Sequence, residues 1–145
     1  MTKQAALHSF LNSAIPITPR IDTEADETLN FLPFYPVGNV PDYARENFTK
    51  GWSYGTYTPI FDSFGGSPVS ITINIWAYTS LEKPLNDAAN ALSQAVGYGG
   101  KAVPCDGGFI WFRRGSPFVQ NLIEDDDNIK RRYINLTAEY MTADN

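Results

Sequence analysis

The stretch Val69-Ser70-Ile71-Thr72-Ile73-Asn74-Ile75-Trp76-Ala77-Tyr78 decides the fold class. Val69, Ile71, Ile73, Ile75 and Ala77 fall on one side of an extended chain, and Ser70, Thr72, Asn74, Trp76 and Tyr78 on the other. A period of two with β-branched residues is the pattern of a half-buried strand. Upstream, Trp52 to Phe61 reads as a second strand, joined to the first by the turn Asp62-Ser63-Phe64-Gly65-Gly66-Ser67-Pro68. Downstream, Thr79 or Ser80 can cap a helix whose apolar face is Leu81, Leu85, Ala88, Ala89, Leu92, Ala95 and Val96. Pro84 is tolerable in its first turn, and Gly97 ends it as a C-terminal cap.

Gly99–Cys105 and Gly108–Arg114 read as a hairpin turned at Asp106-Gly107-Gly108. A loop is expected through Gly115-Ser116-Pro117 and Glu124-Asp125-Asp126-Asp127. The last strand sets Ile134, Leu136, Ala138 and Tyr140 against Tyr133, Asn135, Thr137 and Glu139. At the start, Thr2 can cap a helix with Leu7, Phe10, Leu11 and Ala14 on one stripe, ended by Pro16 and Pro19. Six of the ten prolines (Pro16, Pro19, Pro33, Pro36, Pro41 and Pro59) fall between Ile15 and Pro59. Proline lacks the amide donor that helices and central strands need, so no regular structure is expected before about Gly51. Phe31, Leu32, Phe34, Tyr35, Tyr43, Phe48 and Trp52 make this too apolar for a loose linker, which points to a partner-contacting loop. The expectation is one α+β domain over 1–145: a mostly antiparallel sheet, two helices on one face, and a long irregular loop at about 16–50.

The chain has 145 residues, 43% hydrophobic and 14% aromatic, enough for a self-sufficient core and too aromatic for a disordered chain. No apolar run reaches the length of a membrane-spanning helix, and no secretory leader is legible, so a cytosolic product is expected. Eleven Lys+Arg against sixteen Asp+Glu give a formal charge of −5. Nucleic-acid binding is driven by clustered cations that displace counterions. With only Lys130-Arg131-Arg132 as a basic cluster, the chain is not expected to grip DNA.

One cysteine, Cys105, and one histidine, His8, leave little for metal or nucleophile chemistry. Gly97-Tyr98-Gly99-Gly100 follows a helix instead of preceding one, so it is a cap and turn, not a phosphate loop. Glu124–Asn128 lacks the spacing of a calcium loop. The residues therefore point to no catalytic site, no cofactor site and no metal site, and the chain is not expected to be an enzyme. Arg113 and Arg114 end the aromatic run Phe109-Ile110-Trp111-Phe112. They read either as charged gatekeepers of an aggregation-prone strand or as a contact to acids of a neighbouring subunit.

Gly97-Tyr98-Gly99-Gly100-Lys101, Cys105-Asp106-Gly107-Gly108-Phe109-Ile110-Trp111, Arg114-Gly115-Ser116-Pro117-Phe118 and Arg131-Arg132-Tyr133-Ile134-Asn135-Leu136 together resemble the minor capsid protein family of long-tailed, non-contractile phages. Lys3-Gln4-Ala5-Ala6-Leu7 and Ile71-Thr72-Ile73-Asn74-Ile75-Trp76 fit as well. The resemblance spans residues 1–15 and 51–143, while 16–50 departs from it. Members of this family look like tail terminators, also called tail-completion or tail-to-head joining proteins.

The resemblance implies a structural virion protein at the head–tail junction. It would form a homo-oligomer, a hexameric ring that caps the tail tube protein and docks onto head-completion or head-closure proteins. Genomic DNA would pass through without specific binding. The alternative is another neck component, a head-closure or adaptor protein. On this reading Phe34, Tyr35, Tyr43, Trp52, Arg113, Arg114 and Phe118 are candidate subunit or partner contacts. Glu124, Asp125, Asp126 and Asp127 are candidate channel-facing acids.

Overall fold

The computed structural model describes residues 1–15, 31–48, 52–58, 68–78, 82–123 and 129–142. Three helices and six strands lie among them: α1 Lys3–Ala14, β1 Phe31–Pro36, α2 Asp42–Phe48, β2 Ser53–Tyr57, β3 Val69–Tyr78, α3 Glu82–Val96, β4 Lys101–Cys105, β5 Gly108–Ile123 and β6 Ile129–Thr142. The strands form one sheet in the order β1-β2-β3-β6-β5-β4. Every pairing is antiparallel except β1 with β2. The protein is therefore α+β with a mostly antiparallel sheet.

Alternation builds the sheet as expected. Ile71, Ile73, Ile75 and Ala77 of β3 are buried, and so are Ile134, Leu136 and Ala138 of β6. They share a core with Ile110 and Phe112 of β5, with Ala6, Leu7, Phe10 and Leu11 of α1, and with Leu85, Ala88, Ala89, Leu92 and Val96 of α3. Phe10 stacks on Phe112 at a centroid distance of 4.8 Å. Burying a side chain of this size contributes about 1.5–3 kcal/mol, so the inward stripes hold both helices to the sheet. Thr2 caps α1, its hydroxyl accepting from the Ala5 amide at 3.1 Å. Gly97 follows α3 at a φ of +70°, a conformation glycine adopts without a Cβ penalty. The expected cap at Thr79 or Ser80 and the turn at 62–67 lie outside the described residues.

Two expectations are corrected. The stretch before Gly51 is not irregular throughout, because it holds β1 and α2. Pro33 and Pro36 are compatible with β1 because it is an edge strand, where an absent amide donor breaks no ladder on the open side. Pro41 sits just before α2 and its carbonyl accepts from the Ala44 amide at 3.1 Å. Parallel strands need a crossover, and α2 supplies it between β1 and β2. Ala44 of α2 and Trp52 form a second small core with Tyr35, Val40 and Tyr54.

The second correction concerns Gly115-Ser116-Pro117, which lies within β5 and is no loop. The step from Arg114 to Val119 faces only the step from Leu136 to Ile134, so β5 carries a large bulge there. A Cβ on Gly115 would lie 2.8 Å from the Asn135 Cβ, a close approach that only glycine permits.

Candidate interaction surfaces

Strand register places Tyr35, Tyr54, Thr56, Asn74 and Trp76 on the sheet face opposite Phe34, Gly55, Ile73 and Ile75. The same face carries Trp111 and Arg113 of β5 and Arg131, Tyr133 and Glu139 of β6. Its polar groups are tied laterally. The Arg131 guanidinium donates to Asn74 Oδ1 at 3.2 Å, and the Thr72 and Tyr133 hydroxyls lie 3.3 Å apart. Arg113 pairs with Glu139 at 3.2 Å and lies over the Trp111 ring at 4.9 Å. Trp111 Nε1–H donates to the Gly99 carbonyl at 3.0 Å. Such cross-strand pairs stiffen a sheet face and leave aromatic edges for a partner.

At the β1–β2 end this face becomes an aromatic group. Tyr54 packs against Trp76 at 5.7 Å, Phe48 at 5.6 Å and Tyr35 at 6.3 Å between centroids. The Tyr35 and Tyr43 hydroxyls lie 2.8 Å apart. Burial pushes the Tyr35 phenol well above the ordinary tyrosine value, and its bond to Tyr43 adds to the shift. Burial raises Tyr54 as well. Tyr43 is 42% exposed and Val37 55%, so this corner presents apolar surface beside hydroxyls.

The candidate contact residues separate on folding. Phe34 is fully buried above Gly55, where a Cβ would meet its ring at 2.4 Å. Trp52 is buried against Ala44. Neither presents a surface, so both leave the set of candidate contacts. Tyr35 and Tyr43 come together as described. Arg113 and Arg114 point to opposite faces, because they are neighbours in a strand. Arg114 lies over the Tyr98 ring at 4.7 Å and the Phe118 ring at 5.3 Å, and donates to the Ser93 carbonyl of α3 at 2.9 Å. There it stabilises the negative end of the helix dipole. Glu124, Asp125, Asp126 and Asp127 lie outside the described residues.

Tyr54, Trp76, Tyr98 and Trp111 belong to these surfaces but were not among the expected contacts. For Trp76 the signal was present, since a tryptophan on the polar side of an alternating strand has its ring on the outer face. Tyr98 is 98% exposed directly after the Gly97 cap.

A polar cluster joins α1 to the sheet. The Tyr57 hydroxyl lies 2.8 Å from His8 Nδ1 and accepts from Gln4 at 3.2 Å. Tyr57 is fully buried, and burial pushes its phenol up to about 12, partly opposed by the Gln4 bond. Cys105 is half-buried and packs against the main core. Among the described residues no three His, Cys, Asp or Glu side chains converge to hold a metal ion, and no helix is long and apolar enough to cross a membrane. What these surfaces present is aromatic faces, hydroxyls and paired guanidiniums.

No protein-family model matches the chain, and no curated protein matches it.

Proposed function

We propose that this chain is a tail terminator, a structural protein that forms a ring on the tail tube of a long-tailed phage and joins it to the head-completion proteins. In this reading α1 and α3 layer on one sheet face, and the aromatic corner with α2 on the other faces a neighbouring subunit or partner. The observation that carries it is where the resembling residues sit. Gly97-Tyr98-Gly99-Gly100 closes α3, Asp106-Gly107 turns the β4–β5 hairpin, Gly115-Ser116-Pro117 makes the β5 bulge, and Arg132-Tyr133-Ile134 runs along β6. These are consecutive parts of one structural unit, which supports reading the resemblance as one of scaffold and not of scattered residues.

The electrostatics support it. A DNA conduit must not hold phosphate by counterion release. Of the single basic cluster, Arg132 is 6% exposed and donates to Asn86 at 2.6 Å, and Arg131 is engaged by Asn74. Guanidiniums committed within the chain are poor phosphate ligands, and the net charge of −5 repels a polyanion. Capping a tube needs no chemistry, only a face complementary to the last tube ring.

Deletion of the gene tests the proposal. The expected result is tails of abnormal length beside filled heads. Heads that lose packaged DNA while tails keep a uniform length would transfer the chain to head closure, and a normal virion lacking it would end both readings.

A further inference from the structure

Three margins of the sheet differ in what they offer another strand. On β1, Pro33 and Pro36 remove donors, and the Asn12 side chain occupies both the Phe34 amide and its carbonyl, at 2.7 Å and 3.5 Å. On β4, Pro104 interrupts a five-residue strand that begins with Lys101. Prolines, lysines and covering side chains are how proteins blunt strand edges. The third margin, along 118–123, has no proline and no lysine. β5 is 16 residues long, but β4 pairs only with Gly108–Phe112. Past the bulge β5 continues as Phe118-Val119-Gln120-Asn121-Leu122-Ile123, of which Val119 to Ile123 pair with β6 on one side, and no described strand adjoins the other side. The run has no charge and no proline, and Val119 is 39% exposed.

We propose that this free margin of β5, Phe118–Ile123, pairs edge to edge with the same segment of a second copy of the chain. Two identical edges related by a two-fold axis meet antiparallel, the geometry in which ladder bonds run straight across. A second copy fits because the ladder needs an equally unblocked edge, and of these three margins only this one qualifies. The uncharged sequence lets the segment face itself without repulsion. The bulge at Gly115–Phe118 separates it from the half of β5 that β4 covers. A pair of six-residue edges buries less than the ~1,200 Å² of a standard interface, so the association is weak and depends on concentration. A two-fold contact closes on itself and is the form of the unassembled chain, distinct from the head-to-tail contacts of a ring.

Sedimentation of the full chain from about 10 μM to about 1 mM tests it. The mean mass should rise toward that of two chains and stop there. Val119→Lys combined with Gln120→Lys should keep the mass at one chain with an unchanged circular dichroism spectrum. Ala102→Lys, on the exposed β4 margin, should associate as the native chain does. A native chain that stays single, a double-lysine variant that still pairs, or loss of pairing in Ala102→Lys would each overturn the proposal. Hydrogen exchange of the native chain decides it even where the double variant does not fold. Amides of 118–123 should gain protection as concentration rises, and unchanged protection rejects the pairing. None of these results bears on the ring, which is read from virions.

Discussion

Asn12 of α1 engages both main-chain groups of Phe34 in β1. Its Oδ1 accepts from the Phe34 amide at 2.7 Å and its Nδ2 lies 3.5 Å from the Phe34 carbonyl. One helix side chain thus takes the place of a neighbouring strand along the outer edge of the sheet, while the Phe34 ring goes inward over Gly55.

Removing that side chain leaves the Phe34 amide without its acceptor. Asn12→Ala should cost about 1–3 kcal/mol in urea unfolding. Asn12→Asp keeps the acceptor and should cost less. Equal losses in the two variants would show that the Phe34 amide bond is not the source of the stability.

Gly55 is a packing requirement and has an ordinary φ. A methyl there would lie 2.4 Å from the Phe34 ring, so Gly55→Ala should destabilise by about 1–3 kcal/mol through displacement of that ring. Gly97→Ala meets no atom within 4 Å and is strained only by its φ of +70°, so it should cost about 1 kcal/mol. Near-ultraviolet circular dichroism should change in the first variant and stay constant in the second.

Tyr57 predicts an alkaline limb to the stability curve. Its folded-state value lies near 12 against an ordinary 10.0, so the folded chain holds the phenol proton more tightly than the unfolded chain. The contribution is complete below pH 10 and is lost as pH rises from 10 to about 12, where the unfolded state binds fewer protons. Tyr57→Phe should flatten that part of the curve, with Tyr35 and Tyr54 supplying what slope remains. Urea midpoints measured across this range check it, and an equal slope in both proteins would refute it.

Arg114 and Arg113 should respond differently to loss of charge. Arg114 lies between two rings and holds a helix carbonyl, so Arg114→Met should destabilise by about 1–2 kcal/mol, with lysine restoring only part. Arg113 pairs with Glu139 on a partly exposed face, so Glu139→Gln should change stability by less than about 1 kcal/mol. Thermal unfolding of the two variants side by side is the measurement.

Alternation made β3 and β6 legible, and 3.6-residue spacing made α1 and α3 legible, because each of these elements buries one stripe in a shared core. β1 and α2 were hidden by their prolines. Pro33 and Pro36 argue against a strand unless the strand is known to lie at an edge, which is a fact about neighbours. The β5 bulge was misread for a related reason, since Gly115-Ser116-Pro117 has loop composition but is held in the sheet by its pairing to β6. Of the candidate contacts, Tyr35 and Tyr43 stand in the sequence only as aromatics of a proline-rich stretch, and it is the fold that brings their hydroxyls together. Phe34 and Trp52 were indistinguishable from them by composition.

The sequence alone determined the class of the fold, the inward stripes, the Thr2 and Gly97 caps and the Asp106-Gly107 turn, because these depend on residues a few positions apart. Only tertiary structure decided that β1 runs parallel to β2, that Arg113 and Arg114 serve opposite faces, and that no described strand borders the far half of β5 opposite β6. Those outcomes depend on which strands lie side by side, and adjacency is set by the packing of the whole core, which no local pattern encodes.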